Sequence, residues 1–531
     1  MKKCKLYCLL LTIIILVRIA YYIVIPDIYS DNIAHMAIAQ NFMEGHGFSY
    51  KYISSEKEIY YKTDIMSPPL YPFFLALITF ITTDPLMSSF IVQILSLLLM
   101  AFTWEKIFNL FKPYISDDGY FYFISLLFVS TSIFNVINTI LILALLFLTI
   151  SLYFTFRFIL LEKSKRINII ISSIFSSLLF WIHYSYFFVA FYPTIVLLII
   201  YYLKRSKIPF TTILIAFSTS LIISAGLLTY NYLTTGHLNY MENPEIWETG
   251  FFVEHLLLIN PFFINAFLKS DYLNHYLIGT STYTLLNIGI QFISFTVFAL
   301  IVFLYLKLRK LITSPSEKLH LLFIPFGTVF ILVILLLLYP SLRYSEIPLP
   351  GWTHIGDSRY LSAVFLSIIA VVIILLFTKV NYLSEKIRKY GKMMLMSIIL
   401  INLLICIYSV FTHLDYYNYK ANDYNHKNDH QDLYNNIRSE VSEGNLPVYI
   451  DNDLIVDSFR MSQLAKAATI KFKEAVKIDE FPKTMVFFFT IPGDNKLRDK
   501  DKKLLDWAKR FDTKEVGQIR TNIRLYRVKY L

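Results

Sequence analysis

Long apolar runs separated by short polar segments dominate the chain. Several runs reach about 18 residues or more, and each can cross roughly 30 Å of hydrocarbon. The pattern predicts about eleven membrane-spanning helices. The predicted spans are 6–25, 86–104, 120–133, 136–160, a pair that turns at His183-Tyr184 and ends at Lys204, 210–230, a span that ends at Lys307, 321–339, a span that ends at Lys379, and 394–412.

One further apolar stretch, residues 70–82, is too short to span comfortably at about 1.5 Å per residue. It closes the first long polar loop, residues 26–85. We therefore expect a helix that lies on the outer membrane surface.

Lysine and arginine residues cluster at alternate ends of the predicted spans, beginning with Lys2, Lys3 and Lys5. Basic residues concentrate on the cytoplasmic side of membrane proteins. The pattern predicts a multi-pass protein of the plasma (inner) membrane, with a cytoplasmic N-terminus and an extracytoplasmic C-terminus. The apolar run after the basic start is long for a cleaved signal peptide, which favours an uncleaved anchor.

Composition changes at about residue 413, where the chain becomes charged and mixed. Residues 448–450, 484–490 and 522–527 have the pattern of strands, and residues 431–437 and 502–511 that of helices. The chain is therefore predicted to divide into a membrane domain, 1–412, and a small extracytoplasmic α/β domain, 413–531. The tail has no nucleotide-binding loop, Cys/His metal cluster or nucleophile motif.

The composition agrees with this polytopic α-helical membrane protein. Hydrophobic residues make up 56% of the chain and charged residues 16%, against about 25% charged in soluble domains. The net charge is +11. The lysine and arginine residues that produce it cluster at the ends of apolar runs, which argues against a nucleic-acid partner. Cys4, Cys8 and Cys406 lie in or beside apolar segments, so we predict no disulfide framework.

The first polar loop carries the acidic candidates Asp27 and Asp31. Asp31 opens a segment with apolar residues at helical spacing, so it should lie at a helix N-terminus, where a carboxylate is favoured. Two interpretations stand: Asp31 is a simple helix cap, or it is a catalytic base at the membrane interface. Asp27 follows Pro26 and is either a turn residue or a second candidate.

The second polar loop, residues 340–359, carries Arg343, Asp357 and Arg359. Basic residues are disfavoured at outer span ends, so Arg359 calls for a partner. A guanidinium suits a phosphate because it is permanently charged and bonds in a bidentate way. The alternatives are that Arg359 pairs with Asp357 or extends to the membrane surface.

Several short motifs follow one another along this topology: Asp31-Asn32 with His35, Ala39, Gly45-His46-Gly47, Pro68-Pro69-Leu70-Tyr71, TyrAsnTyrLeuThrThrGly (230–236) and ArgTyrLeu (359–361). Together they resemble the GT-C glycosyltransferases. The branch is that of protein O-mannosyltransferases, aminoarabinose transferases of lipid A and RgtA/B/C/D-like enzymes. Two residues depart from that pattern, because Asn32 replaces the usual second acid and His35 the usual tyrosine.

The resemblance implies a GT-C fold and a sugar donor linked to polyprenyl phosphate on the outer leaflet. Asp31 would deprotonate an acceptor hydroxyl on a lipid, glycan or protein. Arg359, with Arg343, would neutralise the departing phosphate. Weaker substrate-binding candidates are Asp27, His35, Tyr71, Asn231 and Asp357. No cofactor is predicted; a divalent metal stays open, although Asn32 argues against it.

Three other functions stay open at this point. A transporter or flippase for a lipid-linked sugar would be expected to show inverted repeats or ionisable residues at mid-membrane. A saccharide polymerase or ligase would share the donor lipid, with its largest outer loop late in the chain. A non-catalytic scaffold would use its external domain to bind a partner.

Overall fold

The structure is a computed structural model that describes most of the membrane part and separate pieces of the tail. The described residues are 2–24, 30–53, 59–63, 68–83, 85–130, 139–161, 166–204, 208–238, 247–253, 255, 261–268, 281–311, 317–346, 358–425, 448–451, 468–471, 485–490, 492–493, 496–497, 499–520 and 523–529.

Helices dominate the described chain. In order they are α1 Lys2–Val24, α2 Ser30–Met43, α3 Leu70–Thr82, α4 Pro85–Phe111, α5 Asp118–Val129, α6 Thr139–Leu160, α7 Ile167–Ile182, α8 Tyr192–Lys204, α9 Phe210–Thr235, α10 Phe262–Asn265, α11 Ser281–Leu311, α12 Glu317–Arg343, α13 Ser362–Phe377, α14 Glu385–Asn425 and α15 Asp499–Ala508. Two 3₁₀ segments, Tyr184–Tyr186 and Phe188–Phe191, join α7 to α8.

Every predicted span overlaps one of these helices. Seven helical segments in the described chain are long and apolar enough to cross a membrane, and α5, α7, α13 and part of α1 are shorter apolar helices. The chain is therefore a multi-pass helical membrane protein. The number of crossings stays a prediction.

The apolar stretch after the first polar loop is helical over the predicted range, Leu70–Thr82. Several of its large apolar side chains are exposed: Phe73, Leu77, Phe80 and Ile81. Exposed apolar surface on this scale suits contact with lipid rather than with water. Its position on the membrane surface stays a prediction.

Several helices are longer than their apolar runs predicted, and α9 and α12 are two of them. The expected loops began at Asn231 and Pro340, but α9 continues to Thr235 and α12 to Arg343. In α9 the hydroxyls of Thr234 and Thr235 donate to Tyr230 O and Asn231 O, each at 2.8 Å. The last turn of α9 thus contains polar residues whose hydroxyls bond to the preceding carbonyls, and hydropathy does not register such residues as helical.

Contacts divide the chain into two compact units. Unit one comprises Met1–Pro26, Ile65–Phe74 and Met87–Phe411, and unit two comprises Asp27–Asp64, Leu75–Leu86 and Thr412–Leu531. Residues 27–64 therefore belong to the same compact unit as the tail. The predicted division at residue 412 instead follows chain order. That residues 413–531 form a separate domain stays a prediction.

Unit one has a core of interlocking helices. Trp104 of α4 is fully buried, with its ring centre 4.3 Å from that of Phe123 in α5 and 6.1 Å from that of Phe326 in α12. Helices α6, α7 and α8 meet through buried hydroxyls: Ser151, Thr155, Ser172 and Tyr192 bond to one another at 2.6–3.4 Å. Such bonds satisfy polar groups where no water is present.

The α4–α5 and α13–α14 connections meet at one end of unit one. Ser116 N–H donates to Phe377 O at 2.9 Å, and Lys379 N–H donates to Tyr114 O at 2.8 Å. Lys392 pairs with Asp118 at 3.4 Å. These are ends that the sequence predicts to be cytoplasmic, and their meeting agrees with the alternation of the predicted spans. The orientation in the membrane stays a prediction.

Unit two contains the strands of the first loop and of the tail. They are β1 Ser49–Ile53 and β2 Ile59–Thr63, then β5 Val448–Asp451, β6 Ala468–Lys471, β7 Met485–Thr490, β8 Pro492–Gly493, β9 Lys496–Leu497, β10 Asp512–Arg520 and β11 Ile523–Lys529; β3 Trp247–Thr249 and β4 Tyr344–Glu346 belong to unit one. β1 and β2 form an antiparallel hairpin. The main sheet has the order β10-β11-β7-β5-β6.

The predicted α/β character of the tail is confirmed. Its three predicted strands appear as β5, β7 and β11, and its predicted C-terminal helix appears as α15, a few residues earlier than expected. β5 runs parallel to β6 and β7, while β11 is antiparallel to both its neighbours. The predicted helix at 431–437 lies outside the described residues.

Candidate active site

The sequence-predicted site residues fall in both compact units, and each unit is described by itself. In unit two, Asp31 is the second residue of α2, which confirms the predicted helix start. Asp27 and Asp357 lie outside the described residues.

His35 follows Asp31 by one turn of α2. Its side chain is 5% exposed. Burial lowers the pKa of His35 to about 3, because an imidazolium loses its hydration there. The position that holds tyrosine in the resembling family thus carries a neutral imidazole at ordinary pH.

The Gly45-His46-Gly47 motif forms the turn between α2 and β1. Gly45 and Gly47 have φ angles of 87° and 70°, a region that favours glycine. The His46 ring stacks on Tyr61 of β2 with ring centres 3.5 Å apart. The pKa of Tyr61 is raised, mainly by burial and to a smaller extent by the charge of Glu44. The motif therefore shapes the loop and connects it to the hairpin.

In unit one, the Pro-Pro-Leu-Tyr motif packs the start of α3 against α4. Pro68 and Pro69 are buried, and Tyr71 is 0% exposed. The Tyr71 hydroxyl lies 3.4 Å from Ser89 Oγ of α4. Tyr71 therefore contributes to helix packing, and its role in substrate binding stays a prediction.

Asn231 lies in the last turns of α9 and is 1% exposed. Its side-chain nitrogen donates to the hydroxyl of Tyr184 at 3.0 Å and to Leu238 O at 2.9 Å. Both amide hydrogens of Asn231 are thus used within the protein. The residue connects the end of α9 to the 3₁₀ turn that follows α7.

That turn, residues 183–186, is held by its own side chains. His183 caps the 3₁₀ helix Tyr184–Tyr186: its Nδ1 accepts from Ser185 N at 3.1 Å and lies 2.7 Å from Ser185 Oγ. The Tyr186 hydroxyl lies 3.3 Å from Ser362 Oγ at the start of α13. We call residues 183–186 the hub turn.

The hub turn also reaches the predicted phosphate-binding segment. Arg359 lies in the 3₁₀ helix Ser358–Leu361, which leads directly into α13. The next residue, Tyr360, has its ring centre 5.4 Å from that of His183. Two motifs far apart in sequence, 230–236 and 359–361, are therefore brought together by residues that belong to neither.

The sequence reading missed the hub turn. His183 is not among the sequence-predicted site residues and marks only the turn between two predicted spans. One local signal was present, because His-Tyr-Ser-Tyr interrupts the apolar pair of helices α7 and α8. The partners of these residues could not be read from that signal.

Arg343 lies at the end of α12 and contacts a different part of unit one from the hub turn. Its Nη1 donates to Gly250 O at 3.2 Å, and β4, which follows it, pairs with β3. His255 Nδ1 donates to Ser341 O at 2.7 Å in the same region. Arg343 is exposed. Its guanidinium therefore bonds beside the β3–β4 pair and remains accessible.

No group of three or more His, Cys, Asp or Glu side chains in the described chain is arranged to hold a metal ion.

Sequence comparisons identify no relative: no family model matches, and no curated protein matches significantly. Structure comparison finds chains with a similar fold. ArnT from Cupriavidus metallidurans bound to undecaprenyl phosphate is 8% identical, with a TM-score of 0.54 over 97% of each chain. Its apo state is 11% identical, with a TM-score of 0.48 over 99% of this chain and 98% of that chain. The likeness to the lipid-bound structure shows a shared fold and confirms the predicted GT-C architecture.

Proposed function

We propose that this protein is an integral-membrane glycosyltransferase that moves a sugar from a polyprenyl-phosphate-linked donor to an acceptor on the extracytoplasmic face. The observation that carries the proposal is the fold shared, along nearly the full length of both chains, with a structure bound to undecaprenyl phosphate. ArnT is a GT-C aminoarabinose transferase. Fold alone does not define function, so the proposal also needs the residues below.

The arrangement in unit one supports the same function. Asn231 and the Arg359 segment, which belong to separate motifs of the resembling family, both meet the hub turn. Arg359 also lies where the chain enters α13. The N-terminal end of a helix favours an anion, so this is a suitable place for a phosphate.

In the proposed reaction the acceptor hydroxyl oxygen bonds to the anomeric carbon while the bond from that carbon to the phosphate oxygen breaks. Asp31 takes the hydroxyl proton and later releases it to water. Such a proton acceptor contributes roughly 10²–10⁴-fold in rate. The departing polyprenyl phosphate keeps the electron pair, and Arg359, with Arg343, stabilises its charge.

The remaining parts of the proposal follow from the donor. A polyprenyl chain keeps the donor in the bilayer, so the site belongs at the membrane surface and needs no nucleotide-binding loop. The transferred group is a hexosyl or pentosyl unit, and the acceptor is a lipid, glycan or protein. The protein would lie in the plasma membrane, with its N-terminus in the cytoplasm and its tail outside.

The test is release of polyprenyl phosphate by the purified full-length protein. A panel of radiolabelled polyprenyl-phosphate sugars would be supplied with lipid, glycan and protein fractions of a cell envelope as acceptors. We expect release from one donor, and loss of release in Asp31→Asn. Release that survives Asp31→Asn would keep the enzyme class and remove Asp31 as the base.

Absence of release from folded protein with every acceptor fraction would contradict the glycosyltransferase. Vesicles that contain the protein would then be assayed for movement of the same lipid-linked sugars between leaflets. Movement without transfer would establish the transporter instead.

A further inference from the structure

The turn between α2 and β1 joins the helix of the first polar loop to its hairpin. The Asn41 side-chain nitrogen donates to Ser49 O, the first carbonyl of β1, at 2.7 Å, and both residues are buried. The Phe42 ring stacks on that of Phe48 with ring centres 4.4 Å apart. Together with the stacked rings that connect the turn to β2, these contacts make α2 and the hairpin one piece.

Asn41 lies on a helix that is itself tightly packed. In α2, Met36, Ile38 and Ala39 are at most 2% exposed, and Asp31 is the second residue of the same helix. Backbone hydrogen bonds join each turn of a helix to the next, so a helix transmits a displacement along its length. A shift at Asn41 therefore reaches residue 31, about 15 Å away along the helix axis.

The same hairpin lies against the tail, within unit two. Among the described strands β6 has only β5 as its neighbour in the main sheet, so it is the outermost strand. Cα atoms of β1 approach those of β6 within 8 Å. An outermost strand leaves main-chain N–H and C=O groups without strand partners, and proteins commonly cover such an edge with another segment. The hairpin is placed to cover this one.

Two sets of contacts thus meet in β1. One set joins β1 to α2 through Asn41 and Phe48, and the other places β1 against the sheet of the tail. The position of the sheet therefore constrains the hairpin, and the hairpin constrains α2. A catalytic group needs such support, since a misplacement of about 1 Å can cost about 10²-fold in rate.

We propose that the tail positions α2 for catalysis: its main sheet holds the β1–β2 hairpin at β6, and Asn41 transmits that position to the helix that carries Asp31. Asn41 is then a positioning residue, since it acts through α2. This inference rests on the proposed function, because its effect on rate requires a reaction at Asp31. It gives the tail a part in that reaction.

The first measurement tests the contact with the tail and needs no activity. In the full-length protein, Lys51→Cys or Tyr52→Cys in β1 is combined with Thr469→Cys or Ile470→Cys in β6, because adjacent positions sample both faces of a strand. A short bifunctional maleimide is added, and linked peptides are identified by mass spectrometry. Lys51→Cys with Lys514→Cys is the matched control, since β10 lies at the opposite edge of the sheet. We expect a link from β1 to β6 and none to β10.

The second measurement tests the transmission to α2. Asn41→Leu keeps the size of the side chain and removes its N–H. We expect kcat for sugar transfer to fall about 10- to 100-fold, while KM for the lipid-linked donor stays within about threefold, because the proposed donor contacts lie in unit one. Asn41→Gln retains an amide N–H and should recover part of the loss. Glu44→Gln, an exposed change in the same turn, should keep the wild-type kcat.

Each outcome decides a separate step. If no β1–β6 pair is linked in protein with a wild-type thermal midpoint, the docking of the hairpin on the tail is wrong and the proposed function stands. If the link forms and Asn41→Leu keeps the wild-type kcat, Asn41 only stabilises the turn and the positioning role is wrong. If the wild type transfers no sugar, the proposed function fails and the positioning role fails with it, while the link still reports the docking.

Discussion

Asn231 at the end of α9 donates to the hydroxyl of Tyr184 across 3.0 Å. The two residues belong to different helices, and the same amide nitrogen also bonds to Leu238 O. In the resembling family this asparagine is part of a motif for which we predicted substrate contact. Here its donors hold the turn that carries His183, and a role of Asn231 in substrate binding stays a prediction.

Replacing Asn231 with aspartate should therefore destabilise the protein. The variant has the same size but no side-chain N–H, and it leaves buried acceptors facing a carboxylate. We expect a loss of about 1–3 kcal/mol, measured as a lower thermal midpoint in detergent. Tyr184→Phe removes one partner and keeps the bond to Leu238 O, so its loss should be smaller. An unchanged midpoint in Asn231→Asp would show that these bonds do not stabilise the turn.

Binding of the lipid-linked donor should depend on both the charge and the planar shape of the side chain at position 359. If it binds the donor phosphate, Arg359→Gln removes the charge, whereas Arg359→Lys keeps the charge and loses the planar fork. We expect KM for the lipid-linked donor to rise about tenfold or more in Arg359→Gln and less in Arg359→Lys. Arg343→Gln should raise this KM less, since the Arg343 guanidinium also bonds to Gly250 O. A wild-type KM in Arg359→Gln would move the phosphate elsewhere.

His35 should make stability depend on pH. Its pKa is lowered from 6.5 to about 3 in the folded protein, because burial disfavours the charged ring. Between these values the unfolded chain binds more protons than the folded protein, so the free energy of unfolding falls as pH falls. Thermal midpoints measured from above pH 6.5 toward pH 3 should decline less in His35→Gln than in the wild type. Parallel declines would mean that His35 is not buried in solution.

Arg18 should stabilise the C-terminal end of α5. Its side chain is 2% exposed, its Nε and Nη2 donate to Phe128 O at 2.8 and 2.6 Å, and Nη2 reaches Ser130 O at 3.3 Å. α5 has 12 residues, or about 18 Å, so its last carbonyls need a partner within apolar surroundings.

We expect Arg18→Met to lose about 1.5–3 kcal/mol, because hydrogen bonds to a charged group are lost while the aliphatic stem is kept. Arg18→Lys should lie between Arg18→Met and the wild type, since an ammonium lacks the fork that bonds both carbonyls. Chemical denaturation in mixed micelles would measure both. Wild-type stability of Arg18→Met would show that α5 does not depend on this cap.

A substitution at Gly47 would test backbone strain alone, because no neighbouring atom would crowd an added side chain. It has a φ of 70°, and a Cβ added there would meet nothing within 4 Å. Gly47→Ala should therefore cost about 1–2 kcal/mol through backbone conformation alone. Gly327 in α12 is equally open but has ordinary helical geometry, so Gly327→Ala should be neutral or stabilising. Thermal midpoints of the two variants that shift alike would contradict this difference.

The sequence by itself determined the membrane architecture, because apolar length and the polar segments between apolar runs are local properties. The range of α3 and the strands β5, β7 and β11 followed from such patterns, and the motif order indicated the GT-C fold that structure comparison confirms. Helix ends were less accurate where polar residues form the last turn, as the two threonines do in α9.

Only the tertiary structure decided which distant residues meet. It placed Asn231 against Tyr184 and Tyr360 beside His183, joined Arg18 to α5, and grouped residues 27–64 with the tail. The physical reason is that periodicity records whether a side chain is buried and on which face of its helix it lies. The identity of a buried donor's partner is settled by packing between helices, after the chain has folded.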